Sequence, residues 1–253
     1  MKILGVIPAR YASTRFPGKP LAVINGTSMI RRVYEQSIKC DHLETVMVAT
    51  DNEQIRDHVR SFGGNVMMTE VTHTSGTERC AEVLENLRRE SEVYDCLINI
   101  QGDEPYIDPR QINQVAECFI NPKTQLATLI KKISSREELS SQNVVKVVVD
   151  NQGYALLFSR AMIPFFRGKD QNEWLSATNY YKHIGIYGYR ASVLEKIVSL
   201  PVSELEKAES LEQLRWLENG YRIMTQITEF ESCAIDTPAD LLKITNSSGA
   251  AKQ

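Results

Sequence analysis

Ile3-Leu4-Gly5-Val6-Ile7 runs directly into Pro8-Ala9-Arg10-Tyr11-Ala12-Ser13-Thr14-Arg15-Phe16-Pro17-Gly18-Lys19-Pro20. The apolar run reads as a strand buried on both faces, and a strand that ends in a loop delivers the loop to the carboxyl edge of a sheet, where open α/β folds bind ligands. Arg10, Arg15 and Lys19 are spaced along that loop. Two guanidinium forks can each engage two phosphate oxygens, and one compact ammonium can meet a leaving oxygen, so the loop suits a polyphosphate. No carboxylate precedes Glu35: Lys2, Arg10, Arg15, Lys19, Arg31 and Arg32 put +6 into the first 34 residues, leaving −9 for the rest of a chain of net charge −3. A solvated basic surface loop is the plainer reading of three cations, and the two prolines and the strand exit weigh against it.

Outward from this stretch, Thr45 to Thr50, Asn65 to Met68 and Asp95 to Ile100 repeat the short apolar run. Helical stripes alternate with them. Met29, Ile30, Val33, Tyr34 and Ile38 follow the capping candidates Thr27 and Ser28; Ile55, Val59 and Phe62 stop at Gly63-Gly64; Val83, Leu84 and Leu87 form a third. A helix from about Pro109 to Ile120 is predicted with Asp108 as its cap. This βαβα order predicts an α/β fold with a doubly wound, mainly parallel sheet. After Lys132 the rhythm changes: Val145 to Val149, Asp150-Asn151-Gln152-Gly153 and Tyr154 to Phe158 read as an antiparallel hairpin, with a further strand over His183 to Tyr189. The loop Ser159 to Lys182, with Arg160, Arg167 and Trp174, reads as a lid, a dimer contact or flexible surface. No linker separates two independent domains, so the expectation is a single domain over 1–253, with 133–190 as an inserted hairpin subdomain and 245–253 as a loose tail.

At 253 residues and 42% hydrophobic content the chain can build a substantial core. Net charge −3 and a pI near 5.9 argue against a general nucleic-acid binder, so the expected anion is small. No apolar run approaches the ~18 residues needed to cross a bilayer, no signal-peptide pattern opens the chain, and five cysteines without a C-x-x-C pair fit reduced thiols. A cytoplasmic protein without membrane or nucleic-acid partners is expected. His42, His58, His73 and His183 show no zinc spacing.

Two carboxylates stand at predicted strand exits. Asp95 to Ile100 leads into Gln101-Gly102-Asp103-Glu104-Pro105, and Cys233 to Ile235 leads into Asp236-Thr237-Pro238-Ala239-Asp240. Mg²⁺ takes one or two carboxylates with substrate phosphates and waters, so Asp103 and Asp236 can complete one site. Capping of the last helix by Asp236 or Thr237 is the plainer reading of the second, and Asp51, after Val46 to Thr50, is a rival ligand.

The strings PARYASTRFPGKPL (Pro8 to Leu21), VATD (Val48 to Asp51), HTSGTER (His73 to Arg79), NIQGDEP (Asn99 to Pro105), YALLFSRAMIP (Tyr154 to Pro164), KHIGIYGYR (Lys182 to Arg190), LEQLR (Leu211 to Arg215) and DTPAD (Asp236 to Asp240) span nearly the whole chain. Together they closely resemble the 3-deoxy-manno-octulosonate cytidylyltransferases, or CMP-KDO synthetases, of lipopolysaccharide biosynthesis. Gly18 between Pro17 and Lys19 resembles the CMP-sugar branch of the sugar nucleotidyltransferases. The resemblance implies a nucleotide-diphospho-sugar transferase-like fold, CTP and KDO as substrates, Mg²⁺ as cofactor and a homodimer built partly from the hairpin region. It implies that Pro8 and Ala9 help to bind CTP, that Arg10, Arg15 and Lys19 bind its triphosphate, that Ser75, Gly76, Thr77 and Arg79 surround cytosine, and that Gln101 contacts ribose. Lys19, Arg15, Asp103 and Asp236 are implied to be catalytic, the two aspartates as metal ligands. Arg160, His183, Gly185, Tyr187, Glu212 and Gln213 are the implied sugar-acid pocket, although His183 also reads as a satisfied strand-end histidine and Glu212 and Gln213 as the polar side of a helix.

The chemistry expected is in-line attack of the anomeric C2 hydroxyl on the α-phosphorus of CTP, releasing pyrophosphate, for which positioning and charge stabilisation suffice. Transfer to sialic acid or to the 8-amino analogue of KDO, and a non-catalytic nucleotide-binding regulator, remain alternatives. Neither G-x-G-x-x-G nor G-x-x-x-x-G-K-[ST] occurs after the first strand, which excludes the dinucleotide and P-loop fingerprints there.

Overall fold

The computed structural model describes residues 1–13, 15–231 and 234–242. The chain packs into two compact units, one formed by Met1–Asn113 with the chain from Glu231 onward, the other by Gln114–Phe230.

In the first unit β1 (Ile3–Ala9) leads through the cationic loop to a short antiparallel ribbon, β2 (Val23–Ile24) and β3 (Thr27–Ser28), and then to α1 (Met29–Ser37). Alternating strands and helices follow: β4 (Thr45–Thr50), α2 (Glu53–Ser61), β5 (Val66–Met68), α3 (Gly76–Arg89), β6 (Cys96–Asn99) and the first residues of α4 (Pro109–Glu117), a helix that runs on past Asn113. Ser28 caps α1, Asn52 caps α2, and Ser75 with Glu78 forms a reciprocal capping box on α3. Asp108 accepts from the Arg110 N–H at the start of α4, as its position before Pro109 predicts.

β6, β1, β4 and β5 lie side by side in that order, and all three pairings are parallel. Ile3, Leu4, Val6, Ile7, Val48, Leu97 and Ile98 are at most 1% exposed, as continuous apolar strands covered on both faces must be. Each such side chain contributes roughly 1.5–3 kcal/mol relative to exposure. The chain proceeds outward from β1 to β4 and β5, then returns to β6 on the opposite side of β1. Right-handed crossovers running in opposite directions put their helices on opposite faces, which makes the sheet doubly wound. They also open a crevice at the carboxyl ends of β1 and β6, the two strands between which the order reverses.

In the second unit β7 (Leu126–Lys132) is followed by α5 (Arg136–Ser140), β8 (Lys146–Val149), β9 (Ala155–Ser159), α6 (Trp174–Ala177), β10 (Tyr181–Arg190), α7 (Ala191–Ile197), α8 (Glu204–Glu209), α9 (Glu212–Glu218) and β11 (Ile223–Ile227). β8 and β9 form the antiparallel hairpin, β10 pairs antiparallel with β7 and β8, and β11 pairs parallel with β7. The segment Ser159 to Lys182 is not a structureless loop. Trp174 stacks on Tyr180 at 6.0 Å and packs with Ile133 and Leu139 in a small core of its own, because an indole so flanked by apolar side chains is worth more buried than displayed.

The strand expected over Cys233 to Ile235 begins at Cys233, which lies outside the described residues, as does the tail 245–253; residues 234–236 have no strand assignment. Among the described residues no helix is long and apolar enough to cross a membrane.

Candidate active site

The crevice beside β1 is a cleft of about 250 Å³ within the first unit, lined by residues of the β1 loop, the start of α3, the β6 exit and Asp236. Its floor depends on Gly102. A Cβ there would lie 2.7 Å from the Pro8 carbonyl oxygen, so only glycine lets the exits of β1 and β6 approach this closely.

The β1 loop is folded by its own backbone. Gly18 adopts φ +69, its N–H donates to the Tyr11 carbonyl, and a 3₁₀ turn over Lys19–Leu21 follows with Pro20 in its first positions. That turn aims Lys19 into the cleft. Its ammonium donates to Asp103 Oδ2 at 2.7 Å and lies 3.5 Å from Asp236 Oδ1, while Arg15 Nη2 donates to the same Asp236 oxygen at 3.1 Å. Asp236 is brought there by two contacts. Ile235 buries against Ile24 and Met29, with Phe16 and Leu241 packed on the cluster, and the Ile235 N–H donates to the Asp103 carbonyl at 2.9 Å.

Capping of the final helix falls to Thr237, which exchanges hydrogen bonds with Asp240 and leaves Asp236 facing cations. Two carboxylates sharing one ammonium define a position at which a cation is stabilised. Among the described residues no set of three or more His, Cys, Asp or Glu side chains is arranged around a metal position. Two hard oxygen donors at the mouth of a phosphate-sized cleft nevertheless fit Mg²⁺, which fills its remaining positions with phosphate oxygens and water.

Arg10 lines the cleft and makes no ion pair or hydrogen bond among the described residues. Arg10, Arg15, Lys19 and Arg79 face two aspartates in the lining, a positive balance suited to an anion. Ser75 and Gly76 open α3, a 14-residue helix whose first N–H groups and dipole favour negative charge. Thr77, next along, is buried, and Gln101 stands in the cleft wall. Arg79 is buried, donating to Asp51 at 2.8 Å and to Thr69, so Asp51 is engaged by a guanidinium rather than directed to a metal. Of the residues predicted around the nucleotide, only Thr77 is not part of the wall. The sequence reading missed Ser13, His73 and Thr74 as lining residues. His73 was legible only as the first letter of HTSGTER; its Nε2 lies 2.5 Å from Glu82 Oε2, one turn beyond Glu78 on α3.

The implied sugar-acid residues all lie in the second unit. β10 carries His183, Gly185 and Tyr187, with the register shifting between Ile184 and Tyr187. The His183 ring packs against Phe158 at 5.3 Å and Tyr187 at 5.1 Å. The Thr128 hydroxyl donates to the Ile186 carbonyl at 2.7 Å, so it accepts from His183 Nε2–H at 3.0 Å, which leaves the lone pair on Nδ1. The Tyr187 hydroxyl is raised well above its ordinary pKa by burial, with Tyr189 and Glu212 adding to the effect. Gln213, which follows Glu212 on α9, is buried. Arg160 makes different contacts: its guanidinium donates to the carbonyls of Glu209 at 2.7 Å and Gln142 at 2.9 Å.

Burial lowers the His183 pKa from 6.5 to about 3. Between those values the unfolded chain takes up a proton that the folded protein refuses, so stability falls as pH drops below 6.5. The ring keeps a little accessible surface, which moderates the effect. The stability advantage of the wild type over His183→Asn, from urea melts, is expected to narrow by about 1–2 kcal/mol between pH 7 and pH 5. An unchanged gap would show that the imidazole ionises freely in the folded state.

A family profile described as cytidylyltransferase matches residues 4–224. The chain is 54% identical over 247 residues to a 3-deoxy-manno-octulosonate cytidylyltransferase of Parabacteroides distasonis, covering 96% of each protein. It is 52% identical over 244 residues to the protein of that name from Bacteroides thetaiotaomicron, covering 95% of this chain and 96% of the relative. Among solved structures, a CMP:2-keto-3-deoxy-manno-octonic acid synthetase complexed with CTP superimposes with a TM-score of 0.90 at 40% identity, covering 99% of this chain and 100% of the other. A 4-diphosphocytidyl-2C-methyl-D-erythritol synthase from Anaerococcus prevotii shares the fold at a TM-score of 0.60 and 11% identity, with 98% and 99% of the two chains covered. With a profile match over most of its length, relatives above half identity end to end and a cleft of this chemistry at the strand-order reversal, the chain belongs to the 3-deoxy-manno-octulosonate cytidylyltransferase family.

Proposed function

We propose that the protein transfers the cytidylyl group of CTP to the anomeric C2 hydroxyl of 3-deoxy-D-manno-octulosonate, giving CMP-KDO for lipopolysaccharide biosynthesis and releasing pyrophosphate. The observation that carries this reading is the Lys19 ammonium held between Asp103 and Asp236 in a cleft otherwise rich in cations. In the reaction the sugar oxygen bonds to the α-phosphorus as the bond to the β-phosphate oxygen breaks, and the hydroxyl proton passes to solvent. Arg10, Arg15 and Lys19 bind the triphosphate and offset the charge gathering on the departing pyrophosphate. The start of α3 and Gln101 hold the nucleoside, and Arg160, His183, Gly185, Tyr187, Glu212 and Gln213 orient the sugar acid. Asp103 and Asp236 would hold Mg²⁺, which when bound neutralises phosphate charge and acidifies the attacking hydroxyl.

The test is pyrophosphate release with CTP, Mg²⁺ and KDO, run beside UTP, ATP, sialic acid and the 8-amino analogue of KDO. CTP with KDO is expected to be the preferred pair, and chelation of the metal by EDTA to abolish release reversibly. Preference for another sugar acid would reassign the acceptor; CTP binding without release under any condition would make the protein a regulator. The same reading makes it a cytoplasmic homodimer. The exposed Leu156 and Leu157 on β9 support the hairpin as part of the contact, and sedimentation would report the mass.

A further inference from the structure

Arg79 is 3% exposed, yet it contributes to the wall of the cleft. A guanidinium so enclosed keeps its charge only if partners hold it, and two strand exits provide them. Asp51, directly after β4, accepts from Nη2 at 2.8 Å; Thr69, directly after β5, accepts from Nη1. Thr69 and the residues flanking Asp51 are themselves fixed. The Thr69 N–H donates to the Thr50 carbonyl at 2.9 Å, and the Asn52 N–H to the Thr50 hydroxyl at 3.2 Å, while the Asn52 side chain caps α2. Two of the five guanidinium N–H donors are thus spent on side chains that set the plane and rotation of the group.

We propose that Asp51, acting with Thr69 through Arg79, is a positioning residue that sets nucleobase selectivity. The inference rests on the reading of the cleft as a CTP site. Cytosine presents two adjacent acceptors, O2 and N3, to a donor fork, whereas uracil presents a donor at N3–H. A guanidinium locked in one orientation therefore accepts the first base and opposes the second. If released from Asp51 and Thr69, the same group can rotate away from the N3–H, and the discrimination weakens although the charge remains.

The experiment compares wild type, Asp51→Asn and Thr69→Val by steady-state pyrophosphate release with KDO and Mg²⁺, with CTP or UTP as donor, and by calorimetric titration of each nucleotide. Each variant is expected to raise KM for CTP about tenfold with kcat changed less than about threefold, and to lower the CTP-over-UTP preference by about tenfold or more. Thr69→Val keeps the ion pair, so it carries the test if Asp51→Asn does not fold. A lower melting temperature with undiminished CTP preference would reduce Asp51 and Thr69 to structural supports and overturn the assignment. A wild type that itself fails to prefer CTP would instead overturn the reading of the cleft on which the assignment rests.

Discussion

Asp103→Asn lowers the rate of pyrophosphate release by about 10²- to 10³-fold, the usual loss when one group directed at developing charge is removed. Asparagine fills the same volume and keeps one acceptor oxygen for the Lys19 ammonium, which also retains Asp236 at 3.5 Å. The fold should therefore survive. Asp103 is partly exposed at 28%, and its ion pair with Lys19 adds little to stability when set against solvation of both groups. The melting temperature should move by no more than a degree or two, whereas the Mg²⁺ concentration for half-maximal rate should rise at least tenfold. Titrating Mg²⁺ in the rate assay separates these effects. Turnover within threefold of wild type at ordinary Mg²⁺ would exclude Asp103 as a metal ligand. Loss of rate with an unchanged Mg²⁺ midpoint would assign it a different role.

Lys146→Met is expected to destabilise the second unit by about 3 kcal/mol or more, with no involvement of the nucleotide cleft. Lys146 opens β8 and is fully buried. Its ammonium donates to the carbonyls of Ser141 at 2.8 Å, Val144 at 2.6 Å and Arg160 at 2.6 Å, tying the end of α5, the turn into β8 and the exit of β9 to one atom. Methionine matches the volume and offers no donor. Three carbonyls around a buried side chain would lose their donor, at about 1–3 kcal/mol each. For a chain of this size, a thermal midpoint lower by roughly 6–12 °C follows. A shift below 2 °C in a thermal melt would mean that water enters and replaces the ammonium.

The hairpin and β10 of the second unit follow the predicted strands, and Lys146 shows what the sequence does not announce there. A lysine opening a Val-rich run reads as a solvated strand end, and nothing in its neighbours announces three carbonyls converging from separate turns. Trp174 was misread for a related reason. Its segment has no helical or strand period long enough to announce a core, and the partners that bury it, Ile133, Leu139 and Tyr180, come from other elements. Arg160, one of the residues implied for the sugar-acid pocket, has its guanidinium on the carbonyls of Glu209 and Gln142, contacts no local pattern encodes.

The first unit was far more legible. Its strands are contiguous apolar runs, its helices carry capping residues at their starts, and the cationic loop is one uninterrupted stretch in which cation spacing, prolines and Gly18 can be read together. Period, capping and local charge are properties of neighbouring residues, so the order of residues alone reveals them. The meeting of Lys19 with Asp103, 84 residues away, and of Arg15 with Asp236, 221 residues away, is of another kind. It requires parallel pairing of β1 with β6, a glycine that lets their exits approach, and burial of Ile235 against Ile24 and Met29. Those are long-range packing events, and they turned Asp51 from a rival metal ligand into the partner of Arg79 while leaving Asp236 to the cations.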